Sequence, residues 1–167
     1  VFQVVVPRQL RDVVMGRHRL QFLYQRREAF AQLNKPDLVD QIKSDAGFAK
    51  VAGVELTLLD CVRYFHKAAG INGVAQIAKD IGANANPRVL AKAAAVYENS
   101  AVRRLGYLLD RTGHGRQSRA LEPFVRQAKT TLSLDPAVKP IAAALAQVHE
   151  RNAKWKLMIN ETVEVAE

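Results

Sequence analysis

The sequence is poor in the features on which several protein classes depend. It has one cysteine, Cys61, among 167 residues, which excludes an internal disulfide framework and a cysteine-based zinc knuckle. No apolar run approaches the roughly 18 to 20 residues needed to cross a bilayer, and the N-terminus lacks the basic-then-apolar layout of a signal peptide. We therefore expect a soluble cytoplasmic protein with no membrane partner.

The sequence also lacks the motifs of the common catalytic and cofactor sites. Its four histidines, His18, His66, His114 and His149, are scattered without the short spacings of a metal site. Cys61 lies on the apolar face of a predicted helix, where a thiol is usually inert packing. There is no glycine-rich phosphate loop, no nucleophile elbow and no pair of acidic residues in a context like that of a glycosidase. We predict no catalytic residue, no metal and no cofactor.

What the sequence has in excess is positive charge. Its 25 lysines and arginines outnumber 16 acidic residues, for a formal net charge of +9. Most of the excess lies in residues 1–30 and 100–131. Such a charge favours polyanionic partners, and the planar arginine guanidinium suits phosphate oxygens. The competing interpretation is a charged surface that only keeps the protein soluble. The candidate DNA-binding residues are Arg17, Arg19, Arg103, Arg111, Arg116, Arg119, Arg126 and Lys129.

Apolar periodicity predicts helices in the middle of the chain and strands at both ends. The expected class is α+β, with the terminal β-strands forming a small sheet packed by a central array of helices. Residues 34–47 are predicted to be a loop with a short irregular or helical piece. The predicted strands cover residues 1–6, 19–25, 48–54 and 155–160, with β-prone chemistry continuing over 162–165. Residues 15–18 are predicted to form a turn, and the strand over 19–25 is expected to pair with the first strand.

One predicted helix begins at residue 55, and further helices are predicted over residues 73–81, 86–97, 100–113, 118–130 and 135–151. Asn86 and Ser100 are expected to cap the helices that begin there, with Pro87 in the first turn after Asn86. Pro123 is expected to limit the start of the helix over 118–130.

Two short segments leave alternatives open. Residues 74–82 resemble the first helix and turn of a helix-turn-helix, but Pro87 and Arg88 fall where a recognition helix needs continuous structure, which favours a packed helical hairpin. Residues 113–117 form a basic, glycine-flanked segment. It suits either close approach to a phosphate backbone or a flexible connection between helices, and the connection is favoured.

Three segments together resemble the C-terminal domain of AbiEi-type antitoxins, which are transcriptional regulators of bacterial type IV toxin–antitoxin (abortive-infection) operons. The segments are residues 54–64, 100–110 and 154–164, so the resemblance spans about residues 48–164. Its most specific parts are the arginine-leucine-glycine-tyrosine helix and the tryptophan-to-asparagine strand. The residues that match the family, all expected to be structural, are Arg104, Gly106, Tyr107, Trp155 and Asn160.

The resemblance implies a non-enzymatic antitoxin that forms a single domain over residues 1–167. It also implies binding to inverted repeats in its own promoter and a functional link to a nucleotidyltransferase toxin. Family members usually carry an N-terminal winged-helix DNA-binding domain, and no residues before Val1 could form one. The chain is then either the C-terminal part of a longer protein or a shorter relative.

Two other functions compete with DNA binding. The basic face could dock on an acidic protein, such as the cognate toxin. A nucleic-acid enzyme would instead need clustered carboxylates beside a lysine, and no local motif of that kind stands out. For Arg104, an ion pair with Asp60 or Asp110 is an alternative to contact with DNA.

Overall fold

A computed structural model of the protein describes residues 1–139 and 150–166. Its strands are β1 (Phe2–Val6), β2 (Val13–Met15), β3 (His18–Tyr24), β4 (Val39–Ser44), β5 (Gly47–Ala52), β6 (Leu132–Ser133), β7 (Glu150–Asn152) and β8 (Leu157–Ile159). Its helices are α1 (Arg27–Leu33), α2 (Val54–Arg63), α3 (Phe65–Ala68), α4 (Gly70–Ile81), α5 (Pro87–Ala94), α6 (Asn99–Arg111) and α7 (Gly115–Arg126). The predicted α+β class is confirmed.

The strands at the two ends of the chain do not share a sheet. The N-terminal strands pair in the order β1-β3-β2, β4 and β5 form a hairpin, and the C-terminal strands pair in the order β6-β8-β7. The expectation of one joint terminal sheet is therefore wrong. The segment that follows α7 supplies β6 as a parallel neighbour for β8. This partner is much closer along the chain than β1, so less loop entropy is lost when the two strands pair.

The N-terminal sheet confirms the predicted pairing of the first strand with residues 19–25. β1 runs parallel to β3, with Val4 opposite Phe22. The predicted turn before β3 connects β3 to β2, a strand that was not predicted. Gly16 adopts a left-handed φ of 58° in this turn. Because β3 lies between β1 and β2 in the sheet, residues 7–12 must carry the chain across β3 to reach β2.

The prediction of a loop over residues 34–47 is wrong for Val39–Ser44, which form β4. This strand pairs with β5 in an antiparallel hairpin, with Ile42 opposite Ala49. Every residue of the hairpin except Val39 is exposed. Because neither face is buried, β4 has no apolar alternation for a periodicity argument to detect.

The helical core follows the predicted apolar stripes closely. Leu59 on α2, Ala78 on α4, Leu90 on α5 and Leu105 on α6 are all fully buried. The predicted cap of α5 is confirmed, since the Asn86 side chain accepts a hydrogen bond from the Arg88 amide at 3.0 Å and Pro87 occupies the first turn.

Several helix boundaries differ from the prediction. α6 begins at Asn99 after Glu98, so Ser100 lies inside the helix and is not its cap. α7 begins at Gly115 and contains Pro123, which was expected to limit its start. The predicted helix over 135–151 falls largely outside the described residues, and residues 150–152 form β7. Residues 162–165 are in no strand.

The C-terminal sheet is attached to α6 by a buried arginine and a buried tryptophan. Arg103 is only 2% exposed. Its Nε donates to the Trp155 carbonyl at 3.0 Å, and its Nη2 donates to the carbonyls of Thr130, at 2.8 Å, and Lys156. The Trp155 ring lies directly on Gly106, where a Cβ would overlap the indole. The helix and the sheet can approach so closely because residue 106 has no side chain.

A second polar cluster lies between α2 and the connection from α5 to α6. The Tyr97 hydroxyl donates to Asp60, and Arg63 forms an ion pair with Glu98 at 2.8 Å. The Arg63 guanidinium also stacks over Tyr64, 4.9 Å from the ring centre. Burial raises the pKa of the Asp60 carboxyl to about 6, although the Tyr97 hydrogen bond and the charge of Arg63 oppose this change.

We predict that Gly106→Ala destabilises the fold by about 2 kcal/mol or more, because the added methyl group must displace the Trp155 ring. Gly115→Ala is the matched control, since a Cβ at this second helical glycine meets no atom within 4 Å. We expect the control to change stability by no more than about 0.5 kcal/mol. Urea unfolding of both variants measures the difference, and equal free energies of unfolding would contradict the packing argument.

We predict that Asp60→Asn becomes progressively more stable than the parent protein between pH 4 and pH 7. Because the pKa of Asp60 is raised, the contribution of this carboxyl to stability is present below pH 3.8. It is lost as the pH rises through about 6. The full change corresponds to about 3 kcal/mol. Tyr97→Phe removes a hydrogen bond that favours the ionised carboxylate, so it should steepen the same loss. If Asp60→Asn instead lost stability relative to the parent as the pH rose, burial would not be the dominant effect.

Candidate nucleic-acid interface

One concentration of accessible positive charge lies along α7. Arg116, Arg119 and Arg126 are all exposed, and they fall within an arc of about 80° at 3.6 residues per turn. We call these three residues the α7 arginine stripe. It is about 15 Å long at 1.5 Å per residue. The opposite face of α7 is buried and consists of Gln117, Ser118, Leu121 and Val125.

The stripe is free of acidic partners among residues 1–139 and 150–166. None of its three arginines forms an ion pair there, and the first turn of α7 has no acidic residue. The one carboxylate on the helix, Glu122, pairs with Lys154 at 3.1 Å. Arg119 Nε donates to the Gly115 carbonyl at 3.0 Å, which orients its side chain along the helix. The guanidinium charges therefore face solvent without compensation.

Two further predicted cations flank the stripe. Arg111 is exposed at the end of α6, and the short connection 112–114 brings the end of this helix to the start of α7. Lys129 is exposed just beyond the end of α7. Both residues therefore add exposed positive charge close along the chain to the two ends of α7.

The connection before α7 is held by hydrogen bonds to α4 and to the turn after it. The His114 ring contacts the Lys79 carbonyl at 2.9 Å. Gln117 is buried and donates to the carbonyls of Ala83 and Ala85. The segment 113–117, for which a flexible connection between helices was favoured, is thus largely the first turn of α7, and Arg116 is its one exposed cation.

The other predicted cations lie elsewhere. Arg17 and Arg19 are on the N-terminal sheet, and Arg19 forms an ion pair with Asp12 at 3.0 Å. Arg103 cannot contact DNA, because its guanidinium is buried against three backbone carbonyls. Sequence spacing alone could not separate Arg103 from the α7 arginines, since all four lie on amphipathic helices.

The residues that match the family segments contact other parts of the fold. Arg104 donates to the Ser133 carbonyl at 3.0 and 3.2 Å, so the alternative of an ion pair with Asp60 or Asp110 is wrong. Tyr107 and Trp155 are buried. Asn160 joins β8 to residue 135, accepting from the Asp135 amide and donating to its carbonyl.

Asp110 is a structural carboxylate whose role the sequence analysis missed. It accepts hydrogen bonds from Ser118 on α7, from Lys154 at 2.7 Å and from the Trp155 indole at 2.7 Å. Desolvation opposes its ionisation, but these hydrogen bonds outweigh that effect and lower the pKa of the carboxyl. The signal in the sequence was an acidic residue directly after the apolar run of residues 105–109.

The described residues include few groups of the kind that catalysis or metal binding uses. Among the residues it describes, no group of three or more histidine, cysteine, aspartate or glutamate side chains is arranged to hold a metal ion. Cys61 is half-buried, and desolvation raises the pKa of its thiol, which disfavours the nucleophilic thiolate. In the same part of the chain, no helix has the length and apolar content that spanning a membrane requires.

Comparison with known proteins identifies the family. The family model for the AbiEi antitoxin C-terminal domain matches residues 1–111, which is about two thirds of the chain. The match includes the N-terminal sheet and two of the three resembling segments, whereas residues 154–164 and the α7 arginine stripe lie outside it. No curated protein and no solved structure gives a significant match. The chain belongs to the AbiEi antitoxin C-terminal domain family, and its role is that of an antitoxin in a toxin–antitoxin system.

Proposed function

We propose that this antitoxin binds duplex DNA through the α7 arginine stripe, without catalysis, and that this contact supports regulation of its own promoter. The observation that carries the proposal is the set of three exposed arginines on one helical face without a carboxylate partner in the described part of the chain. The net charge of +9 supports the same conclusion. The family resemblance adds the promoter repeats and the neighbouring nucleotidyltransferase toxin.

The physical basis of the proposal is the release of counterions from DNA. Duplex DNA carries about one negative charge per 1.7 Å of axis, so a cationic helical face about 15 Å long meets several phosphates. Each guanidinium can donate two hydrogen bonds to one phosphate. Contacts of this kind position a protein on the duplex and strengthen binding, but they do not read the base sequence. The stripe would therefore supply affinity to operator binding and not sequence selectivity.

The buried face of α7 explains why the stripe is presented as a unit. Leu121 and Val125 are buried, and Ser118 is hydrogen-bonded to Asp110 on α6. These contacts set the rotation of α7 about its axis. A preorganised cationic face loses less conformational freedom on binding than the same arginines on a mobile tail.

We predict that Arg116→Gln/Arg119→Gln weakens binding of a random-sequence duplex several-fold at moderate salt. The slope of log affinity against log salt should become shallower by about two, one for each phosphate contact removed. Fluorescence anisotropy with a labelled duplex over a salt series measures both quantities.

The matched control is Lys35→Gln/Lys43→Gln, which removes two exposed positive charges from the other end of the chain. If net charge alone drove binding, both double variants would weaken it equally. We expect the control to retain most of the affinity and of the salt slope. Equal losses in the two variants, or parent binding that does not change between low and moderate salt, would contradict the proposal.

A further inference from the structure

The N-terminal sheet has an open edge at β1. In the part of the chain that the structure describes, the order β1-β3-β2 leaves one side of β1 without a neighbouring strand. The Val6 carbonyl accepts a hydrogen bond from the Gln25 amide, on the side of β3. Backbone groups of successive strand residues point to opposite edges, so those of Gln3 and Val5 point outward. Within residues 1–139 and 150–166, no backbone group pairs with them.

This edge carries none of the features that usually protect an exposed strand. Natural edge strands are guarded by charged side chains, proline or a bulge. The sequence of β1 is Phe-Gln-Val-Val-Val, and its pairing with β3 is continuous from Phe2 to Val6. Its residues favour β structure, and Pro7 follows only after the strand has ended. The edge is therefore a ready template for one more strand.

The outward face of the same sheet is apolar. Register places Phe2 and Val4 of β1 beside Leu20 and Phe22 of β3. Phe2 is 56% exposed, and Met15 on β2 is 61% exposed. A strand added to β1 could extend this apolar surface with its alternate side chains, because successive side chains of a strand point to opposite faces.

Charge distinguishes among the possible occupants of the edge. Lys67 lies beside β1, since its carbonyl accepts from the Gln3 side chain at 3.0 Å, and it is exposed. The chain segments at the ends of the sheet strands contain five exposed arginines, which are Arg8, Arg11, Arg17, Arg26 and Arg27. A second copy of the chain would bring these like charges together. Duplex DNA would gain nothing from the apolar face. An extended acidic segment satisfies the backbone edge, the apolar face and the cations at once.

We propose that β1 is a docking edge at which an acidic, extended segment of a partner protein adds as a fourth strand of the N-terminal sheet. Main-chain hydrogen bonds to Gln3 and Val5 provide the register, alternate apolar side chains cover Phe2 and Val4, and carboxylates face Lys67 and the neighbouring arginines. This inference does not rest on the proposed DNA binding, because it uses another surface of the molecule.

The test uses the full chain and a labelled, capped peptide of alternating valine and glutamate, with binding followed by fluorescence anisotropy. We expect the glutamate peptide to bind at least about tenfold more tightly than its lysine counterpart, as charge complementarity requires. Val5→Pro removes an outward N–H that β3 does not use, so it should weaken peptide binding about tenfold or more while leaving the sheet intact. Val5→Thr keeps both the N–H and the branched shape and should bind like the parent.

A second measurement removes the main-chain hydrogen bonds from the peptide and not from the protein, so its result does not depend on whether Val5→Pro folds. The glutamate peptide methylated at alternate backbone nitrogens, tested in both registers, should lose binding in the register that faces β1. The proposal is overturned if the glutamate peptide does not bind, if the lysine peptide binds equally, or if neither methylated register loses affinity. It is also overturned if sedimentation shows dimers that Val5→Pro dissociates, or if anionic phosphatidylserine vesicles and not the peptide occupy this face.

Discussion

The close approach of the Trp155 indole to α6 is the contact on which the C-terminal half of the fold depends. The ring is fully buried and lies on Gly106, and its N–H donates to Asp110 one turn further along the helix. The same carboxylate accepts from Ser118 on α7 and from Lys154. One side chain of α6 thus joins a neighbouring helix to the turn before β8. The half-buried carboxylate is tolerated there because each of these donors compensates part of its desolvation.

This buried contact determines what the surface presents. Since Ser118 must face Asp110, the residues on the opposite side of α7 must face solvent, and three of them are arginines. Arg103 is instead buried, and its guanidinium donates to the carbonyls of Thr130, Trp155 and Lys156. A guanidinium that satisfies three buried carbonyls contributes to the fold and is not available to a phosphate. The same residue type therefore serves the core at one position and the surface at another.

The two proposed surfaces have different chemistry and lie on different elements. The α7 arginine stripe offers charge without apolar area, which suits a phosphate backbone. The N-terminal sheet offers a free backbone edge and apolar side chains, which suit another strand. The family match covers the sheet and ends at Arg111, before α7 begins. The two proposals therefore use different elements of the fold, and either can hold without the other.

Sequence patterns by themselves determined the helical stripes of α2, α4 and α6, the cap at Asn86, the strand β1, the excess of positive charge and the family. Each of these depends on residues close together in the chain or on the composition as a whole. The tertiary structure decided that the terminal strands form separate sheets, that Pro123 lies within a helix, and which arginines remain exposed. Burial of Arg103 depends on carbonyls 27 to 53 residues away, and the open edge of β1 depends on which strands pair with which. Such properties arise only when distant segments meet, so no local periodicity records them.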